Sequence, residues 1–478
     1  MTDQMPTTSG SMLGRTLPAS AVAELAASFA GRLVQPGDSD YDQQRAVFNG
    51  MIDRRPALIA RCTGDADVVA AVNFARSQEL LVAVRAGGHS VPGYGVCDGG
   101  IVIDVAPMKG VWVDEDTGVV RAQAGLTWGE FDRETQLVGL ATTGGRQTST
   151  GVAGQTLGSG SGWLERKFGL TCDNLVAAKL VTADGEIVRA DETQNQDLLW
   201  GLRGGGGNFG VVTSLQLRLH PVGPMVTGGM MVWPRARAGE VLRFWRDYVE
   251  TASDDFGSAP AFLTAPPAPF VPEHLQGRPA FGLIVCCAGS PEDGEALVKP
   301  FREFSPDVDM VQPMPYTVVQ SLIDEATPHG LHNYWKAENL PGLSDEAIDT
   351  IIHTVAGMTS PLSMVIVEPK GRAISRVGDG DSALGGRDAA HTLYCFSMWA
   401  DPAESETHVA WTRSLMQTLA PFTMPGVSLN FTSDQQEAKA RESFGSAEKN
   451  RRLTALKDCY DPTNFFRLNQ NIRPSGPA

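Results

Sequence analysis

Short apolar runs and amphipathic stretches alternate from Pro56 to Leu219, and their spacing sets the first reading of the fold. Residues 56–62 form an apolar run short enough for one strand. Val68, Ala71, Val72 and Ala75 then recur at helical spacing within residues 65–75. Residues 81–85 and 101–105 predict two further strands around a glycine-rich loop at 87–100. Residues 111–113 and 119–122 flank Asp116-Thr117-Gly118 as a hairpin, and a second hairpin turns at Asp184-Gly185. Thr127 opens a helix, with Glu130 in the capping-box position and Gly139 as its stop. In residues 211–219, Leu215, Leu217 and Leu219 alternate with Gln216 and Arg218, so one face is buried. Before this region the pattern predicts a flexible leader within residues 1 to about 40, with a helix near 21–32.

The pattern changes at Pro221. The stretch that follows is richer in proline and carries amphipathic helices, such as residues 239–248 and 408–419. From about Glu437 a helix returns, followed by an extended segment at 464–474. The divisions fall at 40–222, 223–432 and 433–478 of the 478 residues.

Composition narrows the function more than the fold. Hydrophobic residues are 42%, charged residues 20%, and the net charge is -16, which is globular and acidic. Affinity for nucleic acid comes largely from Lys and Arg neutralising phosphates, so nucleic acid is excluded as a partner, and anionic membranes are disfavoured. The cysteines number seven, an odd count with no C-x-x-C pair, which argues against a disulfide framework or a zinc site. No Lys or Arg precedes Arg15, and no apolar run approaches the ~20 residues of a membrane span. The expectation is a cytoplasmic chain.

Three glycine-rich loops carry the candidate chemistry. Val84-Arg85-Ala86-Gly87-Gly88-His89-Ser90 sets a histidine after a strand, where bare backbone N–H groups can approach an anion. The stretch from Gly151 through Gly154, Gly158 and Gly160 to Gly162 interleaves Val152 and Leu157, the mark of ordered backbone close to a ligand or another segment. Gly205-Gly206-Gly207-Asn208-Phe209-Gly210 matches G-x-G-x-x-G. However, a helical stretch precedes it and a strand follows, the reverse of a dinucleotide fingerprint, and no kinase partner segments accompany it. His329 and His332 form H-x-x-H, but Gly330 and the lack of a third ligand argue against a metal, and none is expected.

Together these loops resemble the FAD-linked oxidases of the vanillyl-alcohol oxidase/p-cresol methylhydroxylase superfamily, and within it the bacterial branch of the berberine bridge enzyme-like family. The matching pieces are Arg85 to Ser90, Gly151 to Gly162 with Arg166 to Asn174, Arg203 to Thr213, and Asp461-Pro462-Thr463-Asn464-Phe465-Phe466-Arg467-Leu468-Asn469-Gln470-Asn471-Ile472. They occur in the family's order between about 56 and 474. The resemblance implies an α+β, two-domain fold: an FAD domain (40–222), a substrate domain of antiparallel sheet and helices (223–432), and a C-terminal segment (433–478) that returns to complete the FAD domain.

It also implies FAD bonded through its 8α-methyl to His89. Arg85, Ala86, Gly87, Gly88, Ser90, Gly93, Tyr94, Gln147, Thr148, Thr150, Gly151, Gly154, Gly158, Gly160, Gly162, Asn208, Gly210, Val211, Val212, Asn469 and Asn471 would surround the cofactor. Some relatives add a cysteinyl bond; Gln147 stands at that position, so a single link is expected. Many relatives carry Y-x-N-Y with a tyrosine base where this chain reads Ser428-Leu429-Asn430-Phe431. Phe431 then lines the pocket, and Lys336 and Tyr334 become the candidate catalytic groups, since burial could bring a lysine toward neutral pKa. Tyr394 and Trp399 are further pocket candidates, and Cys172 is expected as a small side chain beside the flavin.

The implied reaction moves a hydride from a small secondary alcohol, cyclic amine or phenolic compound to flavin N5, and dioxygen then takes the electrons to give hydrogen peroxide. The partners are that substrate and O2, with no nucleic acid and no membrane. A dehydrogenase of the same fold using another acceptor, or a non-catalytic flavin-binding protein, stays open at this stage.

Overall fold

The computed structural model describes residues 16–433 and 437–476, so the leader over residues 1–15 lies outside the described residues. The first sheet runs in the order Arg32–Val34, Leu58–Arg61, Ile101–Asp104, Val82–Arg85, with the last three strands parallel. Asp104 lies between Arg61 and Arg85 in register, and its carboxylate pairs with both guanidiniums at 3.3 and 2.9 Å. The leading helix is Ala19–Ala27, shorter than the pattern predicts. The chain turns at Gly31, where a Cβ would strike the Arg61 carbonyl oxygen at 2.0 Å, and becomes the edge strand Arg32–Val34.

A second, antiparallel sheet orders Val111–Asp114, Val119–Gln123, Val211–Arg218, Leu175–Val181 and Ile187–Asp191. The Glu130 carboxylate accepts from the Thr127 N–H at 2.9 Å, and Gly139 takes the left-handed conformation (φ 66°) that closes this helical stretch. The glycine-dense stretch, in contrast to its loop-like composition, holds a helix, Val152–Gly158. Val152 and Leu157 are buried in the core shared with the second sheet. That apolar face outweighs the low helix propensity of glycine.

The third sheet has eight strands and is antiparallel throughout. Its far half runs Phe256–Thr264, Met364–Pro369, His391–Trp399, His332–Leu340. The helices Ala238–Thr251, Asp345–Val355 and Ser405–Leu419 cover one face through a core that includes Leu393 and Cys395. The opposite face packs against Ala141, Trp163 and Leu164 from the first half of the chain.

The C-terminal helix Ala447–Tyr460 leads into an unpaired segment that docks on the first half of the molecule. Lys457, fully buried, donates to the carbonyls of Asn208 and Phe466 and to Asp461. Asp461 also accepts the N–H groups of Phe465 and Phe466. Asn208 donates to Gln470 and accepts from the Ile472 N–H. Burial lowers the pKa of the Lys457 ammonium, and the Asp461 charge beside it offsets part of that.

Candidate active site

A cavity of about 330 Å³ lies where the Arg85–Ser90 loop, the Val152–Gly158 helix, the third sheet and the C-terminal segment meet. Arg85, Ala86, Gly87, Gly88, His89, Ser90 and Tyr94 line it from the first loop. Gln147, Thr150, Gly151, Gly154 and Gly158 line it from the second, and Gly210, Val212 and Asn469 from the third loop and the tail. Gly87 and Gly151 run backbone against backbone: a Cβ on Gly87 would meet the Gly151 nitrogen at 2.3 Å. At Gly154 and Gly207 a Cβ would meet nothing within 4 Å, so bare peptide faces the cavity there. The Oδ1 of Asn469 is buried without a partner. A cradle of exposed peptide and an unsatisfied amide oxygen along a cavity lined from three loops and the tail fits a dinucleotide such as FAD.

His89 stacks on Phe48 (4.3 Å, 19°), and its Nε2 lies 2.8 Å from Ser149 Oγ. Its Nδ1 lies 3.5 Å from the hydroxyl of Thr150, a cavity-lining residue. One ring edge opens on the cavity, yet the surroundings are apolar enough that burial, with the His329 imidazole adding to it, lowers its pKa to about 3. His89 is therefore neutral and nucleophilic at ordinary pH.

The third sheet supplies the remaining wall, and strand parity decides which side chains reach it. Trp335, Tyr394, Phe396, Met364, Ile366 and Glu368 line the cavity, with Phe431 from the turn Leu429–Phe431. Phe431 meets Tyr394 edge-on at 4.8 Å, and Trp335 meets Phe396 at 4.9 Å. Glu368 pairs with Arg146 at 2.9 Å and accepts from Ser161 Oγ at 3.1 Å. Lys370 pairs with Glu165 at 2.8 Å and donates to the Tyr394 hydroxyl at 3.3 Å.

Burial raises the Glu368 carboxyl above the usual range, with Arg146 pulling only partly against it. Burial also pushes Glu165 up, but the Lys370 and Arg146 charges outweigh it and leave Glu165 lowered. Glu368 is thus the more basic carboxylate of the two, and it is the one that lines the cavity.

The same parity corrects three sequence expectations. Lys336 pairs in register with Cys395, Tyr334 with Ser397, and His332 with Trp399, so all these side chains leave the sheet on the helix side. Arg413 of the helix Ser405–Leu419 donates to the Tyr334 hydroxyl at 3.1 Å, and Lys336 Nζ lies 5.9 Å from the Tyr334 ring centre. Trp399 donates to Ser405 Oγ and packs against His408. Neither catalytic candidate reaches the cavity, and Trp399 does not line it.

Several residues expected around the cofactor are not on the cavity wall and make contacts within the chain. A Cβ on Gly93 would strike Ile52, on Gly160 Thr171, and on Gly162 the Gly144 carbonyl. Thr148 bonds the Asp324 carboxylate through its N–H. Asn208 holds the tail, Val211 lies in the core, and Asn471 is absent from the cavity wall, its Oδ1 buried without a partner. Cys172 is buried with Leu170, Ile374 and Leu384, away from the wall. Sequence reasoning passed over Glu368, Arg146, Lys370 and Phe396. A single acid within the buried run Met364–Pro369 was the available signal, as was the parity that groups Phe396 with Tyr394.

Residues 56–191 match the family described as FAD binding domain, and residues 429–473 match that described as Berberine and berberine like. An FAD-linked oxidoreductase of Dictyostelium discoideum is 30% identical across 95% of this chain and 97% of its own length. The (R)-6-hydroxynicotine oxidase of Paenarthrobacter nicotinovorans is 28% identical, covering 94% of this chain and 98% of that one. Among solved structures, 6-hydroxy-D-nicotine oxidase from Arthrobacter nicotinovorans superposes with a TM-score of 0.85 at 28% identity, covering 94% of this chain and 99% of that chain. Berberine bridge enzyme from Eschscholzia californica shares the fold, with a TM-score of 0.84 at 18% identity over 96% of this chain and 100% of that one. The fold and site define a two-domain flavoprotein of the vanillyl-alcohol oxidase type. The chain belongs to the berberine bridge enzyme-like FAD-linked oxidoreductases.

Proposed function

We propose that this oxidoreductase oxidises a small hydroxyl- or amine-bearing organic molecule, with FAD bonded to His89 and dioxygen as the final acceptor. The observation that carries the reading is Glu368, a buried carboxylate on the cavity wall with raised proton affinity. It replaces Lys336 and Tyr334 as the group that takes the substrate's O–H or N–H proton. Bound FAD would supply the hydride acceptor and the path of the electrons to dioxygen, which would give hydrogen peroxide.

The chain's own groups do the rest. Trp335, Tyr394, Phe396 and Phe431 form an aromatic box that holds a flat or cyclic substrate and excludes water. Arg146 fixes the Glu368 carboxylate, and Lys370 orients the Tyr394 hydroxyl. Gln147, whose amide donates to the Thr327 carbonyl, offers no thiol for a second bond. The hydroxynicotine oxidase relatives support the oxidase reading and put a hydroxylated cyclic amine first among the candidate substrates. A cytoplasmic location belongs to the same proposal, supported by six buried thiols with no disulfide among the described residues.

The test is anaerobic mixing of the holoprotein with a panel of cyclic amines, secondary alcohols and phenols. The reading expects bleaching of the flavin by at least one class, then rapid return of colour with peroxide when air is admitted. Reduced flavin that persists for seconds in air points to the dehydrogenase instead, and no bleaching by any class contradicts the proposal.

A further inference from the structure

We infer that Ser149 and His329 form a proton relay that enables His89 to bond to the flavin. The inference rests on the covalent reading above and concerns residues that the oxidation itself does not use. Ser149 Oγ lies 2.8 Å from His89 Nε2 and 3.3 Å from His329 Nε2, so one hydroxyl bridges the two imidazoles. The rings meet edge-on at 5.0 Å, and Phe48 packs against both, at 4.3 Å on His89 and 5.3 Å on His329. His329 is solvent-facing, whereas His89 reaches the cavity. Of the two His89 nitrogens, Nε2 is committed to Ser149. Nδ1 lies on the side of Thr150, which lines the cavity, and is the atom left to form the bond.

The chemistry requires such a path. The step joins His89 Nδ1 to the 8α carbon and breaks one C–H and one imidazole N–H bond. FAD, when bound, would pass the two electrons to dioxygen; the protons from the two broken bonds go to solvent, and dioxygen takes two protons from solvent to leave as hydrogen peroxide. His89 cannot stay neutral after gaining the carbon unless Nε2 gives up its proton. Ser149 accepts that proton from Nε2 while donating its own to His329 Nε2, and His329 releases it to solvent. His329 thus acts as a positioning and proton-accepting residue through Ser149, without touching the cofactor. The H-x-x-H spacing is incidental: His332 packs on Trp399, on the other side of the strand pair.

The groups facing His329 are His89, Ser149 and Phe48. The recess it borders also carries Arg61 and Arg85 with their shared partner Asp104. His89 stays neutral down to about 3, so the imidazole that changes charge along this path is that of His329. Burial lowers the His329 pKa, so the relay works above a midpoint below the usual histidine range and fails as pH falls through it.

The test uses full-length apoprotein from riboflavin-starved cells, mixed with FAD in air and followed by intact mass. Wild type is expected to gain one covalent flavin at a rate that rises with pH through a single histidine step. His329→Ala is expected to slow this about 100-fold, to lose the pH step, and to recover rate on addition of free imidazole. Ser149→Ala should be equally slow but without imidazole rescue, and both variants should bind FAD non-covalently as wild type does. A His329→Ala protein labelled as fast as wild type at every pH overturns the relay alone. A wild type that never gains a covalent flavin overturns the relay and the covalent reading together.

Discussion

The two walls of the cavity are built on different principles. The FAD-domain wall is backbone: Gly87 lies against Gly151, and Gly154 and Gly207 present bare peptide. The substrate-domain wall is side chain, with Trp335, Tyr394, Phe396 and Glu368 on three adjacent strands of one sheet. The first wall suits a constant ligand and, where Gly87 meets Gly151, has no room for an added Cβ. The second can change residue by residue while its strands stay in register, which is how one fold serves many substrates.

The comparison breaks most severely at the backbone wall. Gly87→Val would drive a side chain into the Gly151 peptide nitrogen, where no flexible neighbour can yield. We expect a loss of at least about 3 kcal/mol in stability and protein purified without flavin absorbance, read by thermal unfolding and by the visible spectrum. On the side-chain wall, Glu368→Gln should leave folding and flavin content intact while slowing flavin reduction by substrate about 100- to 1000-fold.

Wild type should show an acid limb in that rate. The carboxyl must be deprotonated to take a proton, so the rate falls as pH drops through a midpoint that burial has raised above the usual carboxylate range. The Glu368→Gln profile should lack that limb. Tyr394→Phe removes one hydroxyl that Lys370 contacts and should cost about tenfold in kcat/KM. Lys336→Ala, on the far face of the same sheet, should change kcat/KM by less than about threefold, through the loss of contacts that include the Tyr334 ring. A loss with Lys336→Ala comparable to that with Glu368→Gln would invert the assignment of faces.

The difference between the walls also explains what the sequence disclosed. A backbone cradle is written in contiguous glycines, so the stretches at Arg85–Ser90 and Gly151–Gly162 stood out from spacing, although the helix Val152–Gly158 within the second did not. Even there, glycine density did not say which positions face a ligand. Gly93, Gly160 and Gly162 are small because Ile52, Thr171 and Gly144 press on them.

The side-chain wall depends on which face of each strand looks inward, and that follows from pairing between segments some sixty residues apart. Lys336 and Trp335 are neighbours in sequence and point opposite ways. The register of His332–Leu340 against His391–Trp399 settles the matter, and no local pattern encodes it. Glu368 was hidden for a related reason: its partner Arg146 comes from the other domain.

The most direct test of the account is peptide mapping by mass spectrometry of the acid-precipitated, protease-digested holoprotein. The peptide containing His89 should carry the mass of one flavin, and the peptide containing Gln147 should carry none. An unmodified His89 peptide, with all the flavin free in the acid supernatant, would contradict the tether on which the site's assignment turns.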